Sequence, residues 1–171
     1  MGMFMASVAF SCTDKELWQK IAPQIEQLLP EDDGLFHNFQ EAGPGYCIVS
    51  PYGESADILV KLPEFISALT GGYAVFANCV DSDFNMISLW HNGQNIEDSY
   101  IGNIYEEYTA FYEIPKPDIH LWMPLLVDKT KAEELSQVLL TEQVLAEDSL
   151  RDLSKLTGLP IFDDEFFGKC V

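Results

Sequence analysis

Residues 73–101 constrain this chain more than any other stretch. Tyr73 to Val80 is apolar on both of its alternating faces, as in a strand covered on two sides. Asp81-Ser82-Asp83 follows, a run of short polar side chains that bond to nearby backbone amides and favour a reversal. In the next segment Phe84, Met86 and Trp90 fall on one face, while Ile87 and Leu89 fall on the other. Asn92-Gly93 is the pair best suited to a type I′ turn, because both central positions need positive φ. Residues 96–101 then return as a third strand. The pattern predicts a three-stranded antiparallel meander, about residues 73–101, at the centre of the fold.

The flanking segments supply further strands and the helices. Residues 4–10 read as a first strand. Thr13-Asp14-Lys15-Glu16 matches a capping box, in which Thr13 accepts an amide and Glu16 reaches back. Leu17, Ile21, Ile25 and Leu28 follow at helical spacing, with Pro23 inside the pattern predicting a kink or break. Residues 35–39 and 46–50 are short strands, with Gly43-Pro44-Gly45 read as the turn between them. A helix is expected near 62–70, with Pro63 in its first turn and Gly71 as its left-handed stop. From about 102 the pattern changes, and the aromatic, acidic residues 104–112 are assigned to no element. Pro117 starts a helix through Leu125, and Thr130-Lys131-Ala132-Glu133 caps another. A last helix begins near Glu147, carries Leu150, Leu153 and Leu156, and ends at Gly158 and Pro160. The aromatic tail from Ile161 is expected to dock on the body. The order β-α-β-β-α-β-β-β followed by helices is α+β: an antiparallel sheet, helices packed on it and a helical C-terminal third. Residues 1–171 read as one such domain.

Charge narrows the partners. The chain holds 28 acids and 9 bases, a formal net of −19. Residues 21–115 contain 15 of the acids and one base, Lys61, whereas residues 116–171 contain 11 acids and 6 bases. A surface of this sign repels phosphate backbones and anionic membranes, so neither nucleic acid nor membrane is an expected partner. No apolar run approaches the roughly 20 residues that cross a bilayer. Cys12, Cys47, Cys79 and Cys170 are scattered singly and read as buried, reduced thiols of a cytoplasmic protein. A basic protein or a bound cation fits the charge.

Two segments taken together resemble a known group. Val80-Asp81-Ser82-Asp83, Leu89-Trp90-His91-Asn92-Gly93 and Asp98-Ser99-Tyr100 form the first. Leu145-Ala146-Glu147, then Leu150, Leu153, Leu156 and Gly158-Leu159-Pro160 form the second. They resemble a group of uncharacterised bacterial proteins that share an Asp-Ser-Asp turn, an Asn-Gly hairpin and a C-terminal Ala-Glu helix closing in Leu-Gly-Leu-Pro. The resemblance covers about half of the chain and implies a bacterial cytosolic origin but no activity. This chain departs from it at Thr157, where Leu is expected, and in its aromatic segment 103–115.

Three constellations are candidates for function. Asp81, Asp83, Glu97 and Asp98 are carboxylates that strand register would have to gather, and a hard divalent cation such as Mg²⁺ or Ca²⁺ takes oxygen ligands of this kind. His37 with Cys47 or Cys79 would make a base and nucleophile, although no local signature accompanies them, and His91 and His120 stand alone. His91, beside the Asn-Gly turn, is expected at the surface. The aromatic and acidic stretch 100–122 includes Tyr100, Trp122 and the partner-binding candidates Tyr105, Glu106, Glu107, Tyr108 and Tyr112; aromatic rings with an acidic rim suit a basic partner. No phosphate loop, nucleophile elbow or zinc-protease motif occurs. The leading expectation is a non-enzymatic, acidic protein-binding module, of immunity or regulatory type, that needs no cofactor. The alternatives are a metal-dependent enzyme built on the four carboxylates and a self-associating structural protein.

Overall fold

The computed structural model describes residues 5–29, 35–38, 43–49, 56–102, 114–141, 143–162 and 164. Its elements run β1 (Met5–Cys12), α1 (Lys15–Leu28), β2 (Leu35–Asn38), β3 (Gly43–Val49), α2 (Ala56–Thr70), β4 (Tyr73–Val80), β5 (Phe84–His91) and β6 (Gln94–Gly102). Then come α3 (Ile119–Trp122), α4 (Ala132–Leu140) and α5 (Ala146–Thr157), with 3-10 turns at Met123–Leu125 and Lys129–Lys131. The strands form one antiparallel sheet of six, in the order β2-β3-β1-β4-β5-β6. The class is α+β, as the pattern predicts, and β4-β5-β6 is the expected meander.

Two crossovers set the layers. β1 lies between β3 and β4 and is antiparallel to both, so β3 and β4 are parallel and α2 joins them across β1. By the same reasoning β2 is parallel to β1, with β3 between, and α1 makes that crossing. Both helices cover one face. Val8, Phe10, Ala74 and Phe76 pack there against Trp18, Ile21 and Ile25 of α1 and Leu59, Leu62 and Ile66 of α2. The alternate residues Ala9, Val75, Ala77 and Cys79, with Ile87, Leu89 and Ile101, face the C-terminal helices through Trp122, Leu135, Leu150 and Leu153. β4 is thus buried on both faces, which is why its sequence is apolar throughout.

Both hairpin turns need unusual backbone. Asp81 and Ser82 have φ of 51° and 59°, and Asn92 and Gly93 have 52° and 75°. Asp and Asn are among the few residues that tolerate this region. Gly93 also approaches α2: its amide donates to Ser67 Oγ at 3.0 Å, and a Cβ there would lie 2.9 Å from that of Ala68. The first turn is the seat of α5. Ala146 N donates to the Ser82 carbonyl at 2.9 Å, Asn85 Nδ2 to the Ala146 carbonyl at 2.6 Å, and Ser82 Oγ to Glu147 at 3.2 Å. The helix ends at Gly158, whose φ of 68° is the left-handed stop expected. Thr157, where Leu was expected, is buried and donates to the Leu153 carbonyl at 2.7 Å while accepting from Leu159 N at 3.2 Å. A leucine could do neither.

Several local expectations are corrected. Asp14, not Thr13, caps α1: its Oδ1 accepts from Glu16 N and Leu17 N at 3.0 and 3.1 Å. α1 runs through Pro23, because the proline ring faces outward and the apolar stripe on either side stays docked. Gly43-Pro44-Gly45 is no turn; these residues lie in β3 opposite Cys12, Ser11 and Phe10. A proline is tolerated there because β2 pairs only with residues 46–49, so β3 has no second ladder partner at 43–45 among the described residues. α2 begins at Ala56, which places Pro63 in its interior. The helix expected from Pro117 is short and tightens into 3-10 geometry at Met123–Leu125, since Pro124 offers no amide to the His120 carbonyl. Thr130 caps nothing: its amide and hydroxyl both donate to Asp128, at 2.9 and 2.7 Å, and this pair of bonds holds the Asp128 carboxyl below its ordinary pKa. Of the tail, Ile161 and Phe162 do dock in the core. The rest lies outside the described residues apart from Asp164, which pairs with Arg151.

Pro23 gives a direct test. A proline inside a helix is about 3 kcal/mol worse than alanine, and Pro23 is exposed, so nothing packed is lost on replacing it. Pro23→Ala should raise the urea midpoint by an amount corresponding to about 1–3 kcal/mol, with the slope of the transition unchanged. A lower midpoint would mean that the proline shapes α1.

Candidate functional site

The carboxylates flagged in the sequence do not gather. Asp81 and Asp83 lie in the β4–β5 turn, beside the Phe84–Gly102 end of the hairpin. Asp98 pairs with Ser88 and Glu97 with Leu89, so about 13 Å of strand separates Asp98 from Phe84. Asp98 and Glu97 also point to opposite faces. Glu97 faces the C-terminal layer, where it accepts from Trp122 Nε1 at 2.6 Å, from Asp118 N at 2.5 Å and from Ser99 Oγ at 3.2 Å. It is the polar partner of a fully buried tryptophan. Among the described residues no group of three or more His, Cys, Asp or Glu is placed to hold a metal ion.

Of the two histidine and cysteine pairs, register brings one together and not the other. His37 and Cys47 are register partners on β2 and β3. Cys79 lies on β4, with β3 and β1 between it and β2. Its thiol is buried near the Glu147 carboxylate, and burial first and that charge second push it up to about 12 from 9.0. A thiol so placed stays protonated and is a poor nucleophile. Cys12 is also buried, and its pKa is raised mainly by burial. His91 is only partly exposed and stacks on Tyr73 with ring centroids 4.4 Å apart. Of the aromatic and acidic stretch, Trp122 is core; Tyr105, Glu106, Glu107, Tyr108 and Tyr112 lie outside the described residues.

What the structure does assemble is a groove of about 390 Å³ on the α2 side of β4, β5 and β6. Alternate residues of the three strands form its floor: Phe76 and Asn78, then Met86, Ser88 and Trp90, then Tyr100. Val60, 55% exposed on α2, is the rim. Asp98 stands in the wall. Its Oδ1 accepts from Ser88 Oγ at 2.5 Å and from Asn95 Nδ2 at 2.9 Å.

A bulge makes this brace. Trp90 pairs with Asn95 and Leu89 with Glu97, so Ile96 is extra on β6. Strict alternation would put Asn95 and Asp98, three apart, on opposite faces; the added residue returns them to the same one. Alternation alone places Asp98 and Tyr100 together on β6, and Ser88 and Trp90 together on β5. The bulge carries no sequence signature, and without it Asn95 has no visible role.

Comparison of the chain with protein-family models, with curated proteins and with solved structures finds no match. Among the described residues no helix is long and apolar enough to cross a membrane.

Cys79 supplies a pH dependence whose sign is fixed. Its folded pKa is raised, so the stability it contributes is complete below the ordinary value of 9.0 and is lost as pH climbs toward 12. Urea denaturation across that interval should show falling stability. Cys79→Ala should be less stable at neutral pH but should lose less over the same interval. An equal alkaline loss in both proteins would remove Cys79 as its source.

Proposed function

We propose that this chain is a non-enzymatic protein-binding module of a bacterial cytosol, of immunity or regulatory type, and that its partner is basic. The observation that carries this reading is the groove. An aromatic and methionine floor beside an oriented carboxylate is the composition of a recognition surface, in which rings supply contact area and a charge supplies specificity. The net charge of −19 gives the long-range attraction that would bring a basic protein to it. Among the described residues no lysine or arginine forms an ion pair with Asp98, whereas Arg151, Lys131 and Lys155 pair with acids in the C-terminal third. The cytosolic placement rests on the scattered cysteines, of which Cys12 and Cys79 are buried. The bacterial origin rests on the sequence resemblance.

Binding to defined basic polypeptides tests the reading. The immobilised chain should retain oligolysine or oligoarginine peptides at low salt. It should release them as ionic strength approaches about 1 M, where the Debye length falls to about 3 Å. An acidic peptide of matched length should not bind. Failure to retain either basic peptide at low salt would overturn the assignment of a basic partner.

A further inference from the structure

We infer that the groove is a clamp for one basic side chain, lysine or arginine, which the partner projects from its surface; this rests on the protein-binding reading above. A long basic side chain has two demands. Its methylenes seek apolar contact while its head keeps a polar or π partner. The groove meets both: Met86 and Phe76 offer apolar floor, Trp90 and Tyr100 line it with aromatic rings, and Asp98 ends the path with a carboxylate.

The carboxylate is prepared for this. Both of its described hydrogen bonds fall on Oδ1, which fixes the rotamer and leaves Oδ2 as the acceptor for an incoming N–H. Ser88 and Asn95 are neutral donors, so they orient the charge without cancelling it. Orientation before binding spares the entropy of ordering the side chain on contact. Cation–π attraction to Trp90 or Tyr100 adds to the ion pair.

Trp90 is a built-in reporter. Trp18 and Trp122 are 7% and 0% exposed, so an added ligand that changes tryptophan emission acts on Trp90 first. Oligoarginine and oligolysine peptides titrated into the full chain should shift that emission, and a citrulline peptide of equal length should not. Asp98 is exposed, so Asp98→Asn should weaken binding by up to about fivefold, the upper value for one exposed ion pair. Glu133→Gln removes the same charge from an exposed position on α4 and should change affinity by less than about twofold, since long-range charge alone is screened. Val60→Lys places a tethered cation on the exposed rim and should compete with the peptide as strongly as Asp98→Asn does, without disturbing the core. Peptide binding that leaves Trp90 emission unmoved, or that survives both Asp98→Asn and Val60→Lys at wild-type strength, would overturn the clamp while leaving a basic partner in place. The absence of any basic-peptide binding to the wild-type chain would remove both. A difference between the arginine and lysine arms identifies which head group the clamp prefers.

Discussion

Among the described residues two helices lie on one face of the six-stranded sheet, too few to cover it. Strands about 4.8 Å apart make a sheet roughly 24–29 Å wide, while two packed helices shade about 20 Å. The crossovers fix where those helices go: α1 returns the chain across β3 and α2 returns it across β1. Their cover is therefore centred on β1 and its neighbours, and among the described residues the outer meander is thinly covered on that side. α2 closes down at the hairpin tip, where Gly93 N meets Ser67, and Val60, about two turns earlier, is a rim instead of a lid. The groove follows from this arithmetic. The opposite face has α3, α4 and α5 available and is sealed around Trp122.

That asymmetry explains the different fates of two adjacent carboxylates. Glu97 and Asp98 are neighbours on β6, and the pleat sends one to each face. On the sealed face Glu97 meets Trp122 Nε1 and the Asp118 amide, and its charge is satisfied by donors that fasten the segment before α3 to the sheet. On the other face Asp98 meets, among the described residues, Ser88 and Asn95. One carboxylate holds the protein together, and the other is oriented toward the groove.

Much of the fold was legible because it rests on short-range rules. The period-2 pattern of residues 73–101, the Asn-Gly turn, the Gly71 and Gly158 stops and the helical spacing of Leu150, Leu153 and Leu156 are each written within a few residues. The structure departs from local pattern where tertiary packing overrides local preference. Pro23 did not break α1, because Ile21 and Ile25 stay buried on either side of it. Gly43-Pro44-Gly45 reads as a turn in isolation but is drawn into β3 by pairing with β1. Thr130 matched a capping box, yet a nearer acceptor, Asp128, took its hydroxyl.

The site was legible in part only, for a related reason. Asp98 stood out as an acid near a hairpin, but its meaning depended on its neighbours across the sheet. Gathering it with Asp81 and Asp83 would need a shift of four residues in the β5–β6 register, which would break the pairing that places Tyr100 opposite Met86. With the observed register, Asp98 falls beside Ser88, and the bulge at Ile96 brings Asn95 round to it. The same carboxylate that reads as a metal ligand in one register is a single oriented charge in another. A lone, neutral-braced carboxylate over aromatic rings is poorly made for a divalent cation, which wants six or more oxygens, and well matched to one ammonium or one arm of a guanidinium.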